Sequence, residues 1–191
     1  VWDILSIIMR TIVGITGASG VVYGVDFLRR CPDEKFLVAS KWGRRVLHEE
    51  MGLKVDELRP WVSDIYSDSD LAAPFSSGSN SFDSFVIVPC SISTLGKIAN
   101  GIADTLITRI AQVALKERRR LVIALRETPL NSIALENALK LSREGVVIMP
   151  VSPPHYLKTD SVNDLVEGYV DKLLNVIGVG NGKGWRHEEL E

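Results

Sequence analysis

A strand, a turn of small residues and a helix follow one another between Ile12 and Val25, in the order I-V-G-I-T-G-A-S-G-V-V-Y-G-V. The β-branched run Ile12, Val13 and Ile15 reads as a strand buried on both faces, the usual state of strands in a parallel sheet. The run stops at Gly17-Ala18-Ser19-Gly20, after which Val22, Val25, Phe27 and Leu28 recur at helical spacing. Such a turn offers backbone N–H groups to a phosphate at a helix N-terminus. Tight packing of strand on helix also calls for small residues there, so the turn alone leaves both readings open.

The same alternation continues to the end of the chain. Lys35–Ser40 reads as a second strand with Ser40 at its C-terminal end, followed by a helix over Lys41–Met51 whose Arg44, Arg45, His48 and Glu49 lie mostly on the wet face. Trp61–Tyr66 reads as a strand, and Ser67–Ser84 as a long loop rich in Ser, Asp, Gly and Pro. Loops of this length in compact domains are more often functional than idle. Phe85–Val88 is a strand running into Pro89-Cys90-Ser91-Ile92-Ser93-Thr94, with helices expected over Leu95–Gly101 and Ile107–Glu117. Leu121–Leu125 and Val146–Met149 complete the strands, and Ile133–Arg143 and Leu165–Ile177 the helices. Strands alternating with helices predict a single α/β domain with a mainly parallel sheet. A chain of 191 residues, 46% of them apolar, has the material for its core. The domain is expected over residues 9–179. Met9-Arg10-Thr11 reads as a natural start, residues 1–8 as an upstream extension, and residues 180–191 as a glycine-rich tail in which Leu190-Glu191 is a remnant.

Several function classes fall away. A formal net charge of −2 gives no general basic surface for nucleic acid. The run Lys116-Glu117-Arg118-Arg119-Arg120 reads as a solvated helix end, since no aromatics are interleaved with it. No apolar run approaches the roughly 20 residues that span a bilayer. Val1–Ile8 lacks the basic start and cleavage site of a signal peptide. Two cysteines make no disulfide framework, so a reducing, cytoplasmic setting is expected. His48, His155 and His187 are scattered, and no metal site is expected.

In a parallel sheet the strand ends share one edge, so Ser19, Ser40, Ser91 to Thr94, and Arg126-Glu127 converge on one crevice. Each serine alone reads as a turn former or helix cap. Together, short hydroxyls and free amides suit a phosphate and the polar rim of a planar heterocycle, and Arg126 brings a fork of donors to phosphate oxygens. Arg109 and Lys116 stand seven residues apart on one helical face, a spacing that suggests an anion clamp. Glu50 and Glu127 are candidate proton handlers if burial raises their carboxyls toward neutrality. Cys90 reads as a small buried hydrophobe. Tyr156, after Pro153-Pro154-His155, either donates its hydroxyl to a ligand or packs.

These motifs in this order resemble the flavin prenyltransferases of the UbiX type. The matching segments are T-G-A-S-G at Thr16–Gly20, S-K at Ser40-Lys41, S-S-G-S at Ser76–Ser79 and P-C-S-x-x-T-L at Pro89–Leu95. Further on come L-K-E-R-R at Leu115–Arg119, R-E-T-P-L at Arg126–Leu130 and L-E-N-A-L-K-L-S at Leu135–Ser142. The similarity runs from about Met9 to Val179. It implies a three-layer, Rossmann-like or flavodoxin-like flavoprotein fold. The implied reaction joins a dimethylallyl group from dimethylallyl phosphate to N5 and C6 of reduced FMN, without a metal. The prenylated FMN then serves a separate UbiD-type decarboxylase of unsaturated acids, the ubiquinone pathway included. The resemblance also suggests a homododecamer with the flavin site at a junction of subunits.

Residue by residue, the resemblance assigns FMN binding to Gly17, Ala18, Ser19, Ser40, Ser91, Ile92, Ser93, Thr94, Arg109 and Arg126. It assigns the prenyl phosphate to Lys116, Arg126, Tyr156 and Lys172, and proton transfer to Ser19, Glu50 and Glu127. Lys172 stands where many relatives carry Arg, and Trp185 stands near, but not at, the spacing of a family C-terminal tryptophan. Two other readings compete. Pro89–Asp104 echoes a motif of flavin-dependent cysteine decarboxylases, although Ser93 replaces its Asn and Arg126–Pro129 replaces its P-x-M-N segment. An FMN carrier without chemistry of its own would not need Lys116, Glu127 and Tyr156.

Overall fold

A computed structural model describes residues 9–155 and 160–180. The expectations for the N-terminal extension, Tyr156 and Trp185 lie outside these residues. Six strands, β1 (Arg10–Ile15), β2 (Glu34–Ala39), β3 (Asp64–Ser67), β4 (Ser84–Cys90), β5 (Arg120–Leu125) and β6 (Val147–Ile148), form one sheet. Every pairing is parallel, and the order is β3-β2-β1-β4-β5-β6. The chain therefore winds outward from β1 in one direction, returns, and winds outward from β4 in the other. Open α/β sheets bind ligands outside the strand C-termini at that reversal.

Six α-helices among the described residues cover the sheet: α1 (Val21–Arg30), α2 (Lys41–Met51), α3 (Ile92–Ala99), α4 (Leu106–Lys116), α5 (Ser132–Arg143) and α6 (Val162–Ile177). Side chains alternate across a strand with a period of two, so β1 and β4 each feed two cores. Val13, Ile15, Val86 and Val88 face α1 and α6, where they meet Val25, Leu28, Val170 and Leu173. Ile12, Phe85 and Ile87 face α3 and α4, where they meet Leu95, Ile98, Ile110 and Val113. Each such fully buried side chain contributes roughly 1.5–3 kcal/mol. This two-sided burial is why the strands read as unbroken apolar runs. Helix α2 sits hard against the end of β1 because Gly43 carries no side chain. A Cβ there would lie 2.3 Å from the carbonyl oxygen of Ile15.

Hydroxyls tie β1 to β4 at both ends. At the N-terminal end the Thr11 hydroxyl donates to Asp33 at 2.6 Å and lies 2.6 Å from Ser84 Oγ. At the C-terminal end the buried Thr16 Oγ1 donates to the Pro89 carbonyl at 2.9 Å and accepts the Ser91 amide at 2.9 Å.

Three expected boundaries move. Helix α3 begins at Ile92 rather than Leu95, because Ser91 Oγ accepts the Thr94 amide and caps it there. The strand expected at Trp61–Tyr66 lies at Asp64–Ser67. Val55–Trp61 instead forms a 3₁₀ helix, whose start is fixed by Glu57 accepting the Lys54 amide at 2.7 Å. The Ser67–Ser84 loop includes a 3₁₀ turn at Pro74–Ser76, and its Phe75 and Phe82 are buried in the core under α4. Among the described residues no helix is long and apolar enough to cross a membrane, and no group of three or more His, Cys, Asp or Glu side chains is placed to hold a metal.

Candidate functional site

A cleft of about 550 Å³ opens at the C-terminal ends of β1, β2 and β4, where the strand order reverses. Its walls come from Gly17 after β1, Ser40 to Trp42 at the start of α2, and Ser91 to Thr94 at the start of α3. Asp68, Lys97, Thr105, Ile107, Thr108 and Glu127 complete it. Its volume falls within the roughly 300–1,000 Å³ of small-molecule sites.

Three helices start at this cleft: α4, whose end the chain itself closes, and α2 and α3, each capped by a serine. Ser40 Oγ accepts the Gly43 amide at 2.9 Å, and Ser91 Oγ accepts the Thr94 amide at 3.3 Å. A helix N-terminus leaves four amides without intrahelical partners, and one serine satisfies only one of them. The remaining first-turn amides, with the partial positive charge of the helix dipole, make an anion-binding edge. No acidic residue stands in the first turn of either helix.

Two neighbouring helix ends are closed by the chain itself. At α1, the Glu50 carboxylate accepts the Gly20 amide at 2.9 Å and the Val21 amide at 3.1 Å. At α4, Asp68 accepts the Ile107 amide at 2.8 Å. Burial pushes the Asp68 carboxyl above the ordinary carboxylate range, against the pull of the Ile107 amide and the Thr105 hydroxyl. Lys97 pairs with Asp104 at 2.7 Å, which holds the Asp104 carboxyl below its usual range. Lys41 lies with its amine 5.8 Å from the centre of the Trp42 ring.

The sequence-derived candidates divide accordingly. Gly17, Ser40, Ser91, Ile92, Ser93, Thr94 and Glu127 line the one cleft. Ala18 is buried within the turn and Ser19 is exposed beside it. Arg126 is half-buried at the end of β5, with its amide on the Cys90 carbonyl at 3.0 Å. Its charge reaches Tyr23, whose hydroxyl is pushed up by burial and partly drawn back by Arg126.

Three expectations are corrected. The turn at Gly17–Gly20 does not leave the α1 N-terminus open to a phosphate, because Glu50 occupies it. Glu50 and Glu127 are exposed, so neither meets the burial condition set for a proton handler within one chain. Glu127 accepts the amide of Thr128 at 3.1 Å. Arg109 and Lys116 do not form a clamp. Arg109 donates from Nε to the Ser76 carbonyl at 2.8 Å, near the start of α4, while Lys116 pairs with Glu117 at its far end. Seven residues of helix separate them by about 10 Å along the axis.

Lys172 is exposed on α6, at a depression lined by Met149, Pro154 and Tyr169. Lys116 borders a larger depression of about 940 Å³ at the opposite edge of the sheet, with Arg118, Arg119 and Arg120. Its size does not make it the site. Arg119 is spent on the carbonyls of Gly78 and Asn80, and Arg120 on that of Val176. Sequence reasoning missed Lys41, Trp42, Asp68 and Lys97 in the cleft. The available signals were a bulky aromatic in the first turn of a helix and an acidic residue just past a strand end.

The Flavoprotein family model matches residues 7–174. The chain is 49% identical over 174 residues to the flavin prenyltransferase UbiX of Thermoplasma acidophilum, covering 91% of this chain and 97% of that protein. The crystal structure of AnUbiX (PadA1) in complex with FMN and dimethylallyl pyrophosphate superposes with a TM-score of 0.89 at 40% identity, covering 93% of this chain and 99% of the other. A dodecameric FMN-dependent UbiX-like decarboxylase from Escherichia coli superposes with a TM-score of 0.89 at 38% identity, over the same shares of each chain. The peptidyl-cysteine decarboxylase EpiD, at 18% identity and a TM-score of 0.65, shares the fold.

Proposed function

This chain belongs to the flavoprotein family and, within it, to the flavin prenyltransferases, and from that premise we propose that it joins a dimethylallyl group from dimethylallyl phosphate to N5 and C6 of reduced FMN. It is a metal-independent alkyl transferase. When bound and reduced, FMN supplies the electron-rich ring atoms that receive the allyl group. The observation that carries the reading is the pair of serine-capped helix ends, α2 and α3, facing one cleft without a carboxylate of their own. A phosphorylated ligand brings the anion that those ends lack, and the hydroxyls of Ser40, Ser91, Ser93 and Thr94 suit its polar rim. Gly17, Ala18, Ser19, Arg109 and Arg126 extend the FMN contacts.

Departure of phosphate from an allylic carbon builds negative charge on the leaving group and positive charge on the carbon. Fixed cations aimed at the leaving group stabilise that change far more than mobile water does. Arg126, Lys172 and Tyr156 are assigned to it, with Lys116 reaching from a neighbouring copy, since within its own chain it stands at the other edge of the sheet. Glu127, on the cleft wall, is assigned the proton given to the departing phosphate. Ser19 is assigned the further proton at the turn, while Glu50 holds the α1 amides. The assembly is a homododecamer, and the product passes to a UbiD-type decarboxylase.

The test is an anaerobic incubation of the purified protein with reduced FMN and dimethylallyl phosphate, followed by mass measurement of the released flavin. Addition of C5H8 is expected. Unmodified flavin from folded protein with FMN bound would sink the assignment.

A further inference from the structure

We propose that Trp42 is a ring-binding residue of the cleft, its indole forming the surface on which the planar ring system of FMN stacks. The proposal rests on the reading of this cleft as an FMN site. Trp42 is 66% exposed. Isolated exposed apolar side chains are normal on protein surfaces, so exposure alone is no argument; position is.

Trp42 stands in the first turn of α2, two residues beyond the Ser40 cap, and lines the same cleft as Ser91 to Thr94. It is seated on the β1 turn. A Cβ at Gly17 would come within 2.4 Å of Trp42 Cβ, so the turn yields its side-chain space to this residue. A ligand lying over Gly17 therefore lies beside the indole. The Lys41 amine, 5.8 Å from the ring centre, adds a weak cation–π hold.

The rest of the wall is mainly hydroxyls, ammonium groups and carboxylates. Those groups serve the polar rim and phosphate of a flavin, and leave its flat faces to Ile92, Ile107 and Trp42. Among the described residues lining the cleft, Trp42 is the one aromatic. Heterocycles stack on aromatic side chains through a π face that every such ring possesses.

The full chain is titrated with FMN, as wild type, Trp42→Phe and Trp42→Ala, following flavin fluorescence, absorbance beyond the main flavin band, and dialysis-measured affinity. Stacking predicts quenched flavin fluorescence and a long-wavelength charge-transfer shoulder in the wild type. Trp42→Ala is expected to lose the shoulder and to weaken binding by about five- to 150-fold, the range set by alanine substitution under stacked bases. Trp42→Phe should retain most of the affinity. Wild-type spectra and affinity in Trp42→Ala would overturn the proposal while leaving the FMN site standing. So would loss of assembly by light scattering with unchanged affinity per intact site, which would assign the indole to a subunit contact. A wild type that binds no FMN would overturn the reading of the cleft and the proposal together.

Discussion

Four of the helices that begin near the C-terminal edge of the sheet, α1 to α4, divide into two pairs. At α2 and α3 the first residue before the helix is a serine, which caps one amide and leaves the end able to receive an anion. At α1 a carboxylate from elsewhere in the chain fills that role, and at α4 one joins the Thr105 cap: Glu50, thirty residues from Gly20, and Asp68, thirty-nine from Ile107. The dipole is the same in all four. What separates a binding edge from a closed one is whether the fold has already delivered a negative charge to it. A glycine-rich turn between strand and helix is therefore only half of a phosphate site; the other half is the absence of an internal competitor.

The largest way to break the contrast is to push an open end away from the sheet. Gly43→Ala places a methyl group against the Ile15 carbonyl, 2.3 Å from where the new atom must go. Overpacking of this kind costs about 2–3 kcal/mol, and urea unfolding should show it, with FMN affinity falling in parallel. An unchanged midpoint would mean that α2 does not depend on that approach.

A smaller change converts a closed end into an open one. Glu50→Ala removes the carboxylate from the Gly20 and Val21 amides, at an expected cost of about 1–2 kcal/mol. The informative measurement is the thermal midpoint with added inorganic phosphate, which should rise more in the variant than in the wild type. Equal responses would show that the α1 end is not an anion site even when vacated.

The smallest effect sharpens the other closed end. Asp68 has its carboxyl raised by burial, so between the unfolded value near 3.8 and the higher folded value the native state holds the extra proton. Stability must then fall as pH rises through that window, and by neutral pH the cost of the buried charge is fully present. Asp68→Asn keeps an oxygen for the Ile107 amide and loses the charge. It should match or slightly exceed wild-type stability at neutral pH, by less than about 1 kcal/mol given solvent screening. The advantage should vanish below about pH 3.8. A variant less stable at pH 7 than at pH 4, relative to wild type, would reverse the argument.

The contrast also explains what the sequence made legible. Strands and helices were readable because the sheet buries β1, β4 and β5 on both faces, so each strand is an apolar run and each helix a stripe. The convergence of Ser40, Ser91–Thr94 and Glu127 follows from parallel topology alone, whereas Ser19 and Arg126, expected with them, do not line that cleft. The closures did not, since nothing local to Gly20 or Ile107 announces a carboxylate arriving from another element. The clamp expected of Lys116 fails for a related reason. Helical spacing puts it on a face with Arg109, but a helix running antiparallel to the strands carries the two toward opposite edges of the sheet. The early start of α3 is hidden in the sequence because Pro89–Thr94 reads as a strand end, whereas Ser91 makes it a capped first turn.

The Thr16 hydroxyl, which both donates to Pro89 and accepts from Ser91, has a mechanical consequence. Together with Thr11 and Ser84 at the other end of β1, it rivets the seam along which the left and right halves of the sheet were wound separately. Opening that seam sacrifices both rivets and the β1–β4 ladder at once, so neither half has a cheap route to local unfolding. A cleft built astride such a seam keeps a fixed jaw width, and whatever moves when ligand enters must be carried by the side chains and loops above it.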